Sequence, residues 1–264
     1  MTRIAVTGAA GGVATLLRPA LADRTVRLVD RRPLTRSAAA GGDRSGAIAG
    51  WGDIDAVWGD LADPAVAAAA VAGVDAVLHL AGNPGAGASW DELLGPNLAA
   101  TAALLDAAAA AGVRRVVLAS SVHALGGRTT DGELIDPQGP PRPCCRYGAS
   151  KAFAEAAGAA TASSTRTTVV CLRLGGCRPA PPTSSWAPTW IGVDDLTSLV
   201  EAALGADLRY GVYAGVSANT TTPFGPGTAE RDLGWRPRQD SSTYAVPPGD
   251  GDGGLCPGVR LGQR

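Results

Sequence analysis

The first thirty residues restrict the fold more than any other stretch. Ile4 to Val6 is a short apolar strand, broken by Thr7-Gly8-Ala9-Ala10-Gly11-Gly12-Val13-Ala14. Leu16, Leu17, Ala20 and Leu21 then recur at helix spacing, and residues 25–29 form a second apolar strand that closes on Asp30. Strand, glycine turn, helix, strand and acid, in that order, make the first unit of a dinucleotide-binding parallel sheet. Gly8 and Gly11 let the backbone approach a pyrophosphate, with Gly12 and Val13 at the helix start whose free amides meet its charge. Ala14, in the third small position, still permits close packing of helix on strand. Asp30 is placed to accept from ribose hydroxyls, and its charge repels a 2′-phosphate, which favours NAD. Arg31 and Arg32 can recruit that phosphate and keep NADP open.

The rest of the chain continues the alternation. Residues 33–50, rich in glycine, alanine and serine, read as a mobile surface connection. A third strand is expected over 57–61, with Asp60 and Leu61 at its exit to meet an adenine. A helix over 64–72 leads to a strand over 76–80. There Leu80, Ala81 and Gly82 leave room for a ribose, and His79 reads as a satisfied core residue. Asn97, at the start of a helix over 97–111, reads as a structural residue that caps it, with support of the strand-end geometry at the site as the alternative. The next strand, 113–119, ends in Ser120-Ser121-Val122-His123. A helix over 150–162, a strand over 168–174, a proline- and serine-rich loop to 190, a helix over 193–203 and a strand over 210–214 follow. Asp194 and Asp195 fall in the first turn of that helix, where acids suit its dipole. Beyond Ala218 the chain loses periodicity apart from residues 229–233 and Gly234-Trp235, and 247–254 reads as a loose segment. The expected fold is α/β, a Rossmann-type doubly wound parallel sheet with a small C-terminal substrate lobe. Residues 1–174 form the dinucleotide-binding domain, and 175–264 a substrate-binding lobe and tail that is not an independent domain.

Composition closes off several classes. With 23 basic against 24 acidic residues the net charge is −1, so no basic surface favours nucleic acid or an anionic membrane. No run reads as a membrane span or a signal peptide, which points to a cytoplasmic protein. The five cysteines are odd in number and lack C-x-x-C spacing, and there are two histidines, so thiols in a reducing compartment and no metal site are expected.

The chemistry is concentrated in Tyr147-Gly-Ala-Ser-Lys151. Residues four apart share a helix face. A lysine ammonium one turn from a tyrosine stabilises its phenolate and brings the phenolic proton into working range. Ser121 stands at a strand's carboxyl end, where open α/β sheets bind their ligands, and is placed to share a substrate oxygen with Tyr147. These three residues are the candidate catalytic set.

Thr-Gly-Ala-Ala-Gly-Gly from Thr7, the Ser-Ser pair and Tyr-Gly-Ala-Ser-Lys together resemble the short-chain dehydrogenase/reductase superfamily, in its extended, epimerase-like branch. Over residues 1 to about 240 the chain is similar to uronate dehydrogenases, NAD-dependent enzymes that oxidise C1 of a hexuronic acid to a lactone. The similarity includes His79-Leu80-Ala81-Gly82, Arg173-Leu174-Gly175-Gly176-Cys177, Trp190 with Asp194-Asp195, and Val216-Ser217-Ala218-Asn219. The resemblance implies Tyr147 as the base, Ser121 holding the reacting oxygen and Lys151 bonding the nicotinamide ribose. It also implies a homo-oligomer and a substrate site that takes in Pro84, Ser121, Val122, His123, Tyr147, Gly176, Ser185 and Trp186.

Three of those positions depart from the pattern. Val122 replaces an asparagine, Gly176 a serine, and Ser185 the arginine that would meet the uronate carboxylate. A carboxylate buried without a cationic partner costs several kcal/mol. The departures point to a neutral hydroxyl or ketone on a sugar-like or nucleoside-like ring, in specialised natural-product metabolism. Uronate oxidation is the alternative. Epimerisation and non-catalytic dinucleotide sensing are lesser readings.

Overall fold

A computed structural model describes residues 3–34, 51, 54–127 and 134–249. In chain order the elements begin with strand β1 (Arg3–Thr7), helix α1 (Gly12–Leu17), strands β2 (Thr25–Asp30) and β3 (Ile54–Trp58), helix α2 (Pro64–Val71) and strand β4 (Ala76–His79). Helices α3 (Trp90–Leu93) and α4 (Ala100–Ala110) follow, then β5 (Arg115–Ser121), α5 (Arg146–Ser164), β6 (Thr168–Leu174), and the two-residue strands β7 (Gly176–Cys177) and β8 (Trp190–Ile191). Helix α6 (Val193–Gly205), strand β9 (Tyr210–Gly215) and helix α7 (Ala229–Leu233) complete the order.

Seven strands form one sheet in the order β3-β2-β1-β4-β5-β6-β9. Every pairing in it is parallel. Parallel strands need crossover helices, and those helices cover both faces. One face buries Leu17, Leu21, Leu196, Leu199 and Trp235 against the sheet. The other buries Ala67, Val71, Leu104, Leu105 and Ala162. The expected doubly wound Rossmann-type sheet is therefore present, and β9, from beyond residue 174, forms one of its edges, opposite β3.

Several boundaries differ from the sequence reading, for identifiable reasons. β3 lies at 54–58 rather than 57–61 because it pairs with β2 from Val26↔Ile54 to Asp30↔Trp58. Gly59, at φ 158°, then turns the chain away. β5 runs on through both serines, which pair with Arg173 and Leu174. α5 starts at Arg146 rather than 150, with the Cys145 sulfur accepting from Gly148 N at 3.3 Å as its cap.

Asn97 is not a cap. Helical turns begin at Trp90 after a Ser89–Glu92 capping box, and pass through a π-helical turn, Leu94–Ala99. Pro96 in that turn has no N–H to give, which favours a wider ring. The whole stretch Trp90–Ala110 is long and apolar enough to cross a membrane by length and composition, contrary to the expectation of no such run. It includes Asp91, Glu92 and Asp106 and packs against α2 and α5, as a core helix does. Residues 35–50, most of the expected surface connection, and 250–254 of the expected loose segment lie outside the described residues, as does Cys256.

Candidate active site

The carboxyl ends of β1 to β6 converge on one edge of the sheet. At the first of them Gly8 adopts φ +68°, and a Cβ there would stand 2.7 Å from Ala81 N. Only glycine lets the loop after β1 lie this close to the chain leaving β4. A cleft of about 540 Å³ opens over these ends, lined by Gly8, Gly11, Asp30, Arg31, Asp60, Leu61, Leu80, Ala81 and Gly82. Arg32, read with Arg31 as a candidate phosphate partner, lines it too, as do Val29, Gly59, Pro96 and Ala100, which were not singled out in the sequence. Gly12 and Val13 are not part of that lining and stand at the start of α1.

Asp30 is fixed toward the glycine turn. Its Oδ2 accepts from Ala10 N at 2.9 Å and its Oδ1 from Arg32 N at 3.0 Å. Arg32 folds back, with Nε 3.9 Å from the same carboxylate, so its charge is set against Asp30 rather than presented alone. The cleft thus fits a dinucleotide: a side-chain-free turn for phosphates, a held carboxylate for ribose hydroxyls, and small residues further along.

Beside the cleft stand Ser121, Tyr147 and Lys151. β5 delivers Ser121 and α5 delivers the other two. The Ser121 hydroxyl hydrogen-bonds Tyr147, which favours the phenolate, but burial is the larger effect and pushes the phenol up to about 12. Lys151 is buried, and desolvation lowers its ammonium to about 8. Its Nζ donates to Ala119 O at 2.8 Å and lies 5.8 Å from the Tyr147 ring centroid. A Cβ on Gly82 would come within 3.6 Å of that Nζ, so Lys151 closes the end of the cleft. The three candidate catalytic residues are together.

Two buried sets of bonds position this group; the sequence offered Asn97 as a support of the strand ends but not its partners. Asn97 Oδ1 accepts from Asn83 N at 2.7 Å, while its Nδ2 donates to Ser150 Oγ at 2.9 Å. It ties the loop after β4 to α5, next to Lys151. On the next turn of α5, Glu155 accepts from Ser120 Oγ at 2.6 Å and from Arg173 Nε and Nη2, both at 2.8 Å. Arg173 also donates to the Pro137 and Gly139 carbonyls. Ser120 is thereby committed to Glu155, whereas the Ser121 hydroxyl bonds Tyr147. The signal in the sequence was faint: Tyr147, Lys151 and Glu155 fall on one helix face at steps of four.

His79 is the core residue expected. Its Nδ1 lies 2.7 Å from Thr7 Oγ1 and its Nε2 3.1 Å from Thr101 Oγ1. Burial, with the Lys151 charge, lowers it to about 3.

The candidate substrate residues are more dispersed. Val122 is buried among Leu125, Ile135, Val216 and Phe224. The His123 ring meets Tyr147 edge-on, centroids 5.5 Å apart, and its own burial lowers its pKa. Pro84 is exposed on the loop after β4. Trp186 lies on Gly176, where a Cβ would be 2.5 Å from Cε3, so the bare glycine and the indole are one adaptation. Ser185 bonds Thr183 Oγ1 at 2.9 Å and backs onto Gly249. Arg178, unremarked in the sequence, holds its guanidinium carbon 5.8 Å from the Trp186 ring centroid. Asp195, read as a dipole partner, is buried and accepts from Ser217 Oγ, Arg238 N and Gln239 N.

Residues 4–177 match the model of the NAD dependent epimerase/dehydratase family. The chain belongs to this family. Among curated members, the uronate dehydrogenase of Pseudomonas putida is 33% identical over 245 residues, 92% of this chain and 86% of that protein. The L-arabinose 1-dehydrogenase (NAD(P)(+)) of Haloferax volcanii is 31% identical over 267 residues, covering 92% and 99%. Among solved structures, a tyrosine variant of uronate dehydrogenase from Agrobacterium tumefaciens complexed with NAD superposes with a TM-score of 0.82 at 32% identity, covering 95% of this chain and 92% of that one. The resemblance seen in the sequence is thus borne out, in family and in fold.

Proposed function

We propose that the protein is an NAD-dependent dehydrogenase that oxidises a ring carbinol of a sugar or sugar-like substrate. The observation that carries this reading is the Ser121–Tyr147–Lys151 group set against the end of a dinucleotide-shaped cleft. Nicotinamide bound there would supply the hydride acceptor. Ser121 would hold the substrate hydroxyl, Tyr147 would take its proton, and the Lys151 ammonium would stabilise the phenolate that starts the cycle. With the phenol resting near 12 and the ammonium near 8, Tyr147 is protonated at neutral pH. Oxidation must draw on that ammonium and on the Ser121 bond, whereas the reverse reduction finds its proton donor ready. Asp30, held by Ala10 N and flanked by the folded-back Arg32, supports NAD over NADP.

For the substrate, the favoured reading is a neutral ring. Ser185 offers a hydroxyl, and Val122 and the Trp186 face offer apolar surface, so nothing in this set pairs with a carboxylate. A role in natural-product metabolism in the cytoplasm fits a pocket altered in this way. One observation favours a second reading: Arg178 stands over Trp186 and could meet the carboxylate of a uronic acid. NADH formation from NAD with galacturonate, glucuronate, neutral aldoses and nucleosides separates the two. Turnover of a neutral ring with silence on uronates supports the first. Rapid uronate oxidation that Arg178→Ala abolishes supports the second, and no turnover of any ring alcohol refutes both.

A further inference from the structure

Beside Tyr147, whose ring His123 meets edge-on, three donor atoms from two segments stand together. His123 Nδ1 lies 3.6 Å from Cys144 Sγ and 3.5 Å from Cys145 Sγ, and the two sulfurs are 3.9 Å apart. A tetrahedral zinc ion, with bonds of about 2.3 Å to sulfur and about 2.05 Å to nitrogen, sets its ligands about 3.8 Å apart for S···S and about 3.5 Å for S···N. The triangle has the size and shape of three corners of that tetrahedron. Hydrogen bonding alone explains it less well. An imidazole nitrogen offers one lone pair or one proton along one axis, yet two sulfurs stand at nearly equal range from it.

The triangle is held by its frame. Arg142 N donates to Ala124 O and Gly127 N to Arg142 O, both at 2.8 Å, and Cys144 N to His123 O at 3.4 Å. A Cβ on Gly148 would stand 2.3 Å from His123 O, so the start of α5 is seated directly on the turn after β5. The Cys145 sulfur already accepts from Gly148 N at the amino end of the 19-residue α5, where an anionic ligand is stabilised. Such N–H···S bonds orient thiolate ligands as outer-shell partners do. All three residues are only partly buried, so an ion can reach them from solvent.

We propose that His123, Cys144 and Cys145 form a binding site for a thiophilic divalent cation of the zinc class, with the fourth corner taken by water. Binding exchanges two thiol protons for one dication, so affinity rises with pH. The site clamps the turn after β5 to the first turn of α5, which carries Ser121 on one side and Tyr147 on the other. It was not legible in the sequence, where His123 and Cys144 are separated by 20 intervening residues and no C-x-x-C occurs.

Titration of the full chain with Co2+ tests this directly. One equivalent per chain should give thiolate-to-cobalt charge-transfer absorption with tetrahedral d–d bands, both erased by added Zn2+. Cys144→Ser should weaken binding at least about tenfold, and Cys144→Ser/Cys145→Ser, which keeps a serine cap on α5, should abolish the charge-transfer band. Zn2+ should raise the melting temperature of the native chain by a few degrees, roughly, and leave that double variant unmoved. A Cys171→Ser/Cys177→Ser chain should bind as the native one does. Absence of the charge-transfer band in the native chain, or its persistence in the Cys144/Cys145 variant, overturns the assignment.

Discussion

In the proposed reaction Tyr147 and Lys151 divide the proton chemistry between them, and each role has its own signature. Tyr147→Phe should lower turnover by about 10² to 10⁴-fold while leaving NADH binding, read by fluorescence titration, within a few-fold of native. Lys151→Met should move the rising limb of the oxidation pH profile upward, because the phenolate then loses its ammonium; an unmoved limb would take Lys151 out of that role. Gly176 and Trp186 make a third case. In Gly176→Ser the new Cβ meets the indole edge, which is 40% exposed and can swing out, so stability should hardly change. The Michaelis constant should instead rise several-fold if the indole carries about 1 kcal/mol of substrate stacking, and the Trp186→Ala parent should show no further change when Gly176→Ser is added. His79 sets an acid limit. Its folded pKa of about 3 lies below the ordinary histidine value, so its contribution is whole above about pH 6.5 and is lost as pH falls toward 3. Urea midpoints of the native chain should fall over that window, and His79→Gln should flatten the fall.

At the level of elements, α5 is the member on which the site depends. Its one face presents Tyr147, Lys151 and Glu155 in successive turns, and Glu155 holds it to β6 through Arg173. Both partners of that ion pair are almost fully buried. Breaking it with Arg173→Met strands a carboxylate and two carbonyls, and should cost about 3 to 5 kcal/mol by chemical denaturation. Glu155→Leu/Arg173→Met should recover a good part of that loss; a double variant as unstable as the single would mean that the backbone bonds at Pro137 and Gly139 carry the energy. This buttress shows why some of the site was legible in the sequence and some was not. The glycine turn, Asp30, Ser121 and the Tyr147–Lys151 step each rest on local spacing, which a sequence displays. Asn97 with Ser150, Glu155 with Arg173 and Arg178 with Trp186 are partners only because the sheet brings distant segments together. The strand limits shifted for the same reason, since a neighbour's register, not local composition, decides where β3 and β5 end.

For the whole molecule, one buried carboxylate draws the chain beyond residue 177 together. Asp195 gathers Ser217, Arg238 and Gln239, so Asp195→Ala should speed amide exchange at residues 238–243 well before the melting temperature of the sheet falls. The same geography has a consequence for synthesis. β9 pairs with β6 along its full length from Val169 to Leu174, yet it leaves the ribosome some forty residues later. In the interval the nascent chain carries Ser121, Tyr147 and Lys151 beside an open, apolar strand edge, the kind that recruits other chains. A message that stalls translation before codon 210 would therefore release an aggregation-prone fragment rather than a smaller enzyme.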